Sequence, residues 1–210
     1  MKSLILKDLI SFRSYLKTLL IFIAFFAIVT FSMDNVSFMS GMIILWLSML
    51  PVTSLSYDQH SKWDLYSQAL PVSRRQIIMA KYVLGLLIIS VASVIAIILN
   101  VIVSLMKSVE IEWIQLIAAN IAIGLVALVF LSILFPLVYK YGVEKSRMFM
   151  LIIIAIPSVL FMAIPNLNTK LQFLDAVTPE LVFAVAAMIV LFIMVASYKV
   201  SLKIYTAKDF

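Results

Sequence analysis

The chain has 210 residues, 65% of them hydrophobic and only 12% charged, with a formal net charge of +6 and no cysteine. Without cysteine there is no disulfide, Fe–S cluster or thiolate nucleophile. The apolar residues gather in six long segments joined by short connectors, which excludes a soluble domain with a single anchor.

The first element precedes these segments. Between Met1 and Lys17, Ile5, Leu9, Phe12 and Leu16 recur at i, i+4, i+7 and i+11. Leu4, Leu6 and Ile10 widen that face, while Lys7, Ser11 and Ser14 mark another. The spacing predicts an amphipathic helix lying in the membrane interface, with a plain extension of the first span as the alternative. The predicted spans are Thr18–Met33, Val36–Ser56, Tyr82–Met106, Trp113–Tyr139, Met148–Ile164 and Leu181–Tyr198. At about 1.5 Å per residue, each crosses or nearly crosses a hydrocarbon core about 30 Å thick. The fold class expected is therefore all-α, a polytopic membrane protein forming one domain.

The stretch 57–76 between spans 2 and 3 is the longest hydrophilic one. Ser61 and Asp64 have the form of a capping box that opens a short helix. On that helix Trp63, Tyr66 and Leu70 share a face, and Pro71 disfavours helical geometry at Leu70. Ser73 and Gln76 form a second box, starting the helix that runs into span 3. An aromatic face held between two corners would dock a soluble partner, touch headgroups or pack on the protein itself, and docking is the favoured reading. Arg74 and Arg75 would contact acidic groups on such a partner or anchor to headgroups. Beyond span 5, residues 165–179 mix polar and apolar side chains. They are read as a partly re-entrant cap over an exit, with Leu171 and Phe173 as its apolar contacts, or as a plain exposed connector. Thr178 and Pro179 then open span 6 as N-cap and N1.

Charge fixes the expected orientation. Both terminal segments, the connector 57–81 and the turn 140–147 hold 14 of the 16 basic residues, leaving only Lys107 and Lys170 on the other side. Positive residues are retained inside, so both termini are expected in the cytoplasm. A cleaved signal peptide is not expected, since no small-residue cleavage pattern follows the first apolar stretch. The basic loops lie next to anionic membrane lipid and call for no nucleic acid.

Other functions lack their residues. None of the four glycines belongs to a phosphate-binding G-x-x-x-x-G-K-[ST] loop, and the six spans hold no Asp, Glu, Lys, Arg or His. Ion-coupled carriers place ionisable groups at the midplane. Asn100, Asn120 and Gln115 are read as helix–helix or interfacial contacts, and Pro51, Pro136 and Pro157 as tolerated kinks. The single histidine, His60, has only Asp58 nearby and makes no metal site. No catalytic, cofactor or metal residue is assigned.

Several blocks together resemble a family: Leu6-Lys7-Asp8-Leu9 with Arg13; Asp58, Trp63, Tyr66 and Leu70-Pro71-Val72-Ser73-Arg74; Lys81-Tyr82; Pro136, Tyr139, Gly142 and Lys145; and the tail from Ser201 to Phe210. The chain resembles the small six-span permeases of the ABC-2 type, the type V exporter architecture. The resemblance implies an N-terminal elbow helix (Ile5, Leu9, Phe12, Leu16) and a coupling helix that docks on a separate ATP-binding subunit. The docking residues would be Trp63, Leu65, Tyr66, Leu70, Pro71, Arg74 and Arg75. It further implies two such subunits, which carry the ATP and Mg, and a second permease, identical or homologous. The chain is then no enzyme itself, and its cargo is amphipathic or hydrophobic, foremost a peptide as in the phenol-soluble-modulin exporters. A stand-alone carrier or channel, or a peptide-immunity or sensing subunit, is the alternative.

Overall fold

A computed structural model describes residues 2–32, 37–67, 69–163 and 178–208. These form α1 (Lys2–Ser11), a 3₁₀ turn (Phe12–Tyr15), α2 (Leu16–Ser32), α3 (Ser37–Leu47), α4 (Leu50–His60), α5 (Trp63–Ser67), α6 (Arg74–Lys107), α7 (Trp113–Tyr141), α8 (Val143–Ala163) and α9 (Pro179–Thr206), with no strand among the described residues. Among the described residues, four helical stretches are long and apolar enough to cross a membrane: Ser40–His60, Arg74–Lys107, Trp113–Tyr141 and Leu181–Thr206. Lys2–Tyr15 and Lys17–Phe31, bent by 63° at their junction, would supply a fifth if counted as one broken span. Of the six expected spans, the first falls on α2 and the fifth on α8, whose expected end at Ile164 lies outside the described residues. So does the outer segment Pro165–Asp175, with Leu171 and Phe173.

Span 2 is one membrane-length helical stretch with a break inside it. α3 and α4 meet at Ser48–Met49, where the Ser48 hydroxyl donates to Leu45 O at 2.6 Å, and Pro51 sits in the first turn of α4. A proline is tolerated there because its missing N–H would have no intrahelical partner. Pro136, by contrast, lies inside α7, which continues to Tyr141. α6 has 34 residues, about 51 Å at 1.5 Å per residue, so it projects beyond a bilayer core. Its far end closes as a Schellman turn: Ser108, at φ 54°, donates to Leu105 O, and Val109 N donates to Ser104 O.

The core runs along α3, α4, α6 and α7, with Ile43, Ile44, Ile78, Leu84, Ala92, Phe135 and Val138 buried within it. α6 and α7 approach closely at Gly85, where an added Cβ would stand 3.1 Å from Leu131 Cδ1. α9 lies along α7 and is fastened to α6 by Tyr82, whose hydroxyl is 2.6 Å from Ser197 Oγ and 2.9 Å from Ser201 Oγ. Elsewhere α9 exposes Leu181, Met188, Phe192 and Val195, the outward apolar face expected of a lipid-facing helix.

Candidate functional site at the basic end

α1, the last turn of α9, the α4–α6 connector and the α7–α8 turn meet at one end of the bundle. Four charged side chains lock there. Lys81 Nζ, on α6, donates to both Asp8 carboxylate oxygens at 2.9 and 2.8 Å and to Ser54 Oγ at 2.7 Å. It also pairs with Asp58 Oδ2 at 2.5 Å. Lys7 Nζ stands 2.6 Å from Asp58 Oδ1 and 3.2 Å from Asp8 Oδ1. Asp8 and Lys81 are 1% and 2% exposed, a depth at which a charge persists only when paired and hydrogen-bonded. Two lysines against two aspartates balance the charge, and the group joins α1, α4 and α6.

This cluster sets which side of the first helix faces the bundle. Drawing Asp8 to Lys81 turns Leu4, Asp8 and Phe12 (i, i+4, i+8) toward the bundle. Ile5 packs there too, but Leu9 is 46% exposed, along with Leu6 and Ile10. The expected face of Ile5, Leu9 and Phe12 is thus split between protein and surroundings; the side chain of Leu16 lies outside the described residues. The signal for this is in the sequence, since Asp8 and Lys81 stand in the family-like blocks. No local spacing, however, reveals a partner 73 residues away.

The connector begins differently from the expected capping box. The Ser61 hydroxyl donates back to Asp58 O at 3.3 Å, finishing α4, and Lys62 adopts φ 52° to turn the corner. Asp64 instead receives a hydrogen bond from Tyr205 OH at 3.0 Å, linking α5 to the end of α9. Burial pushes the Asp64 carboxyl above its ordinary value of 3.8, and the nearby Asp58 charge adds to this, while the Tyr205 bond acts against it. α5 is one turn long and stops at Ser67, before Leu70, with the Ser67 hydroxyl donating back to Asp64 O at 2.9 Å. The second box forms as expected: Gln76 N donates to Ser73 Oγ at 3.3 Å and Ser73 N to Gln76 Oε1 at 3.1 Å.

The aromatic face divides as well. Trp63 is half-buried, 6.1 Å from the Tyr66 ring, with Lys7 Nζ 4.1 Å above its own ring centroid. Leu65, Tyr66 and Leu70 are 54%, 66% and 36% exposed, and Pro71 is exposed beside them. Arg74 reaches the end of α9, donating to Thr206 O at 2.9 Å and Lys208 O at 3.3 Å, where a cation suits the helix's negative pole. Arg75 is exposed. Gln59 Oε1 accepts from Val143 N at 3.0 Å, so α8 is fastened to the same corner, beside Gly142 at φ 83°.

The remaining sequence candidates separate from this site. His60 is exposed, while Asp58 belongs to the ion cluster, and no group of His, Cys, Asp or Glu among the described residues could hold a metal. Asn100 is buried and donates to Ser40 Oγ at 2.9 Å, tying α6 to α3 as expected of a helix–helix contact. Asn120 is buried too, and its amide nitrogen has no partner among the described residues. Gln115 is exposed near the start of α7.

Neither a curated protein nor a solved structure matches the chain. Residues 3–206 match the family model described as ABC-2 family transporter protein, nearly the whole sequence. Permeases of this family normally work with a separate ATP-binding subunit. The chain therefore belongs to the ABC-2 transporter family.

Proposed function

We propose that this chain is the permease subunit of an ATP-driven exporter, with six spans, both termini in the cytoplasm and α5 as the helix that docks on the ATPase. The observation that supports this best is the mounting of α5. A single turn of helix presents Leu65 and Tyr66 outward, with Leu70 exposed just beyond it, while its other side is gripped by Lys7 over Trp63 and by Tyr205 on Asp64. A rigid element with an outward apolar face can pass a push from a partner into the bundle; a solvated loop would absorb it. Arg75 is exposed, whereas Arg74 serves the end of α9. Trp63 then braces the docking residues from behind.

The working unit on this reading is two permeases with two ATPases, which bring the ATP and Mg. The cargo is amphipathic or hydrophobic, with a peptide as the leading candidate. The charged groups support export over ion-coupled transport: Lys81 lies about 10 Å along α6 from its start, at the basic end, and is neutralised there by Asp8 and Asp58. The outer segment around Leu171 and Phe173 would cap the exit, and Leu171→Asp with Phe173→Asp should then impair export while sparing ATPase binding. The direct test is co-purification of the tagged chain from native membranes, with identification of its companions. An ATPase carrying a phosphate-binding loop is expected, and its absence from a stable preparation would sink the reading.

A further inference from the structure

We propose that Asp8 and Lys81 are positioning residues that carry the displacement of α5 into α1 and α6, making the N-terminal helix part of the moving unit. The inference rests on α5 being the docking helix. Lys7 makes the connection. Its ammonium stands over the ring of Trp63, the first residue of α5, and also pairs with Asp58 and Asp8. Motion of α5 therefore acts on Trp63, then on Lys7, and then on a buried cluster whose other cation belongs to α6.

The cluster suits transmission because it does not yield gradually. Sliding α1 along α6 would break both Lys81–Asp8 hydrogen bonds in a site that exposes only 1% and 2% of these residues, leaving Asp8 with Lys7 alone and Lys81 with Asp58, so the parts move together or separate outright. Apolar packing alone would permit small slips, and α1 has little of it. Leu4, Ile5 and Phe12 face the bundle, but Leu6, Leu9 and Ile10 do not. The directional link between α1 and α6 is thus the ionic one, added to the packing of Leu4 and Ile5.

The chain has no cysteine, so labels can be placed freely. One spin-label pair, Leu9→Cys with Val109→Cys, reports α1 against the far end of the bundle. A second, Ser61→Cys with Val109→Cys, reports the connector. Distances are read by pulsed electron paramagnetic resonance on the complex with its co-purifying ATPase in nanodiscs, with and without ATP plus vanadate. Both pairs are expected to shift in the otherwise unaltered chain. Asp8→Asn with Lys81→Met keeps the Lys7–Asp58 pair and the balance of charge. In that variant the Ser61 shift is expected to persist and the Leu9 shift to be lost. An undiminished Leu9 shift overturns the proposal, as does joint loss of both shifts while the ATPase still co-purifies, which marks the cluster as a general structural anchor. If the double variant does not accumulate, Lys7→Gln breaks the link from Trp63 and is read by the same outcomes. Absence of a Ser61 shift in the unaltered complex would instead refute the docking role of α5.

Discussion

At the basic end, side chains fasten α1, α4, α5, α6, α8 and α9 to one another: the Lys7–Asp8–Asp58–Lys81 cluster, Tyr205 on Asp64, Arg74 on Thr206 O and Gln59 on Val143 N. At the opposite end, Lys107 donates to Thr30 O at 3.2 Å and stands 5.7 Å from the Phe31 ring. Around it Leu105, Met106, Val109, Trp113 and Ile114 are more than half exposed. One end is cross-linked by charge, while the other presents apolar and aromatic surface of the kind that settles at a membrane interface. The difference teaches where force can enter. A push at the cross-linked end reaches several helices at once.

The comparison breaks most visibly if its two ends lie on the wrong sides of the membrane. Cysteine at Ser61 should be shielded from an impermeant thiol reagent applied to intact cells, and cysteine at Val109 should react. Both positions are exposed, unlike Ser146 and Ser201, which are buried and would stay silent from either side. Labelling of Ser61 from outside would reverse the orientation.

The next largest effect concerns the charges. Lys81→Met leaves two buried aspartates facing Lys7 alone, and removing one partner of a buried pair costs about 3–5 kcal/mol. Thermal unfolding of the detergent-solubilised chain should show a large fall. Lys107→Met at the other end, where the ammonium is half-buried, should cost far less. Equal losses would mean that the two ends are held alike.

How much of this is legible in the sequence depends on the range of each interaction. The helical class, the long spans on α6, α7 and α9, and the Ser73–Gln76 box follow from runs and spacings within a few residues. The Ser61–Asp64 box has the right local form, yet Asp64 is taken by Tyr205, 141 residues along the chain. The same range limit applies to α1, where Asp8 fixes which side faces the bundle and leaves Leu9 on the outer side. From sequence Lys81 reads as a loop cation, since nothing within its own helix announces two aspartates on α1 and α4. Periodicity reports which face is apolar; it does not report which polar residue on that helix is the anchor.

A smaller effect is expected at the docking surface. Leu65→Ala with Tyr66→Ala removes exposed apolar area and the Tyr66–Trp63 ring contact, and leaves Lys7 over Trp63 and Tyr205 on Asp64 in place. Loss of anchors at an interface commonly costs about 2 kcal/mol or more, roughly a thirtyfold loss in affinity. ATPase association, read by co-purification, should fall while the unfolding temperature stays near that of the unaltered chain. Trp63→Ala should do the converse first, lowering thermal stability through the lost Lys7 contact. Unchanged association in the Leu65/Tyr66 variant would move the docking surface elsewhere.

The smallest effect sharpens the comparison at a single carboxyl. Burial raises Asp64 above 3.8 in the folded chain, so the folded state favours its neutral form. A raised folded pKa contributes stability that is fully present below the unfolded value and lost as pH rises through the folded one. Asp64→Asn abolishes that dependence. The unfolding temperature of the unaltered chain minus that of the Asp64→Asn variant should therefore decline as pH climbs from 3.8 through the folded value. Tyr205→Phe supplies a second handle, since the Tyr205 hydrogen bond is what lowers the Asp64 pKa against burial. Without it the decline should move to higher pH, in a direction fixed by the bond and not by any general loss of packing. A decline that moved to lower pH in Tyr205→Phe, or a difference that grew with pH, would mean that the clamp between α5 and α9 is dominated by the ionised carboxylate and not by its burial.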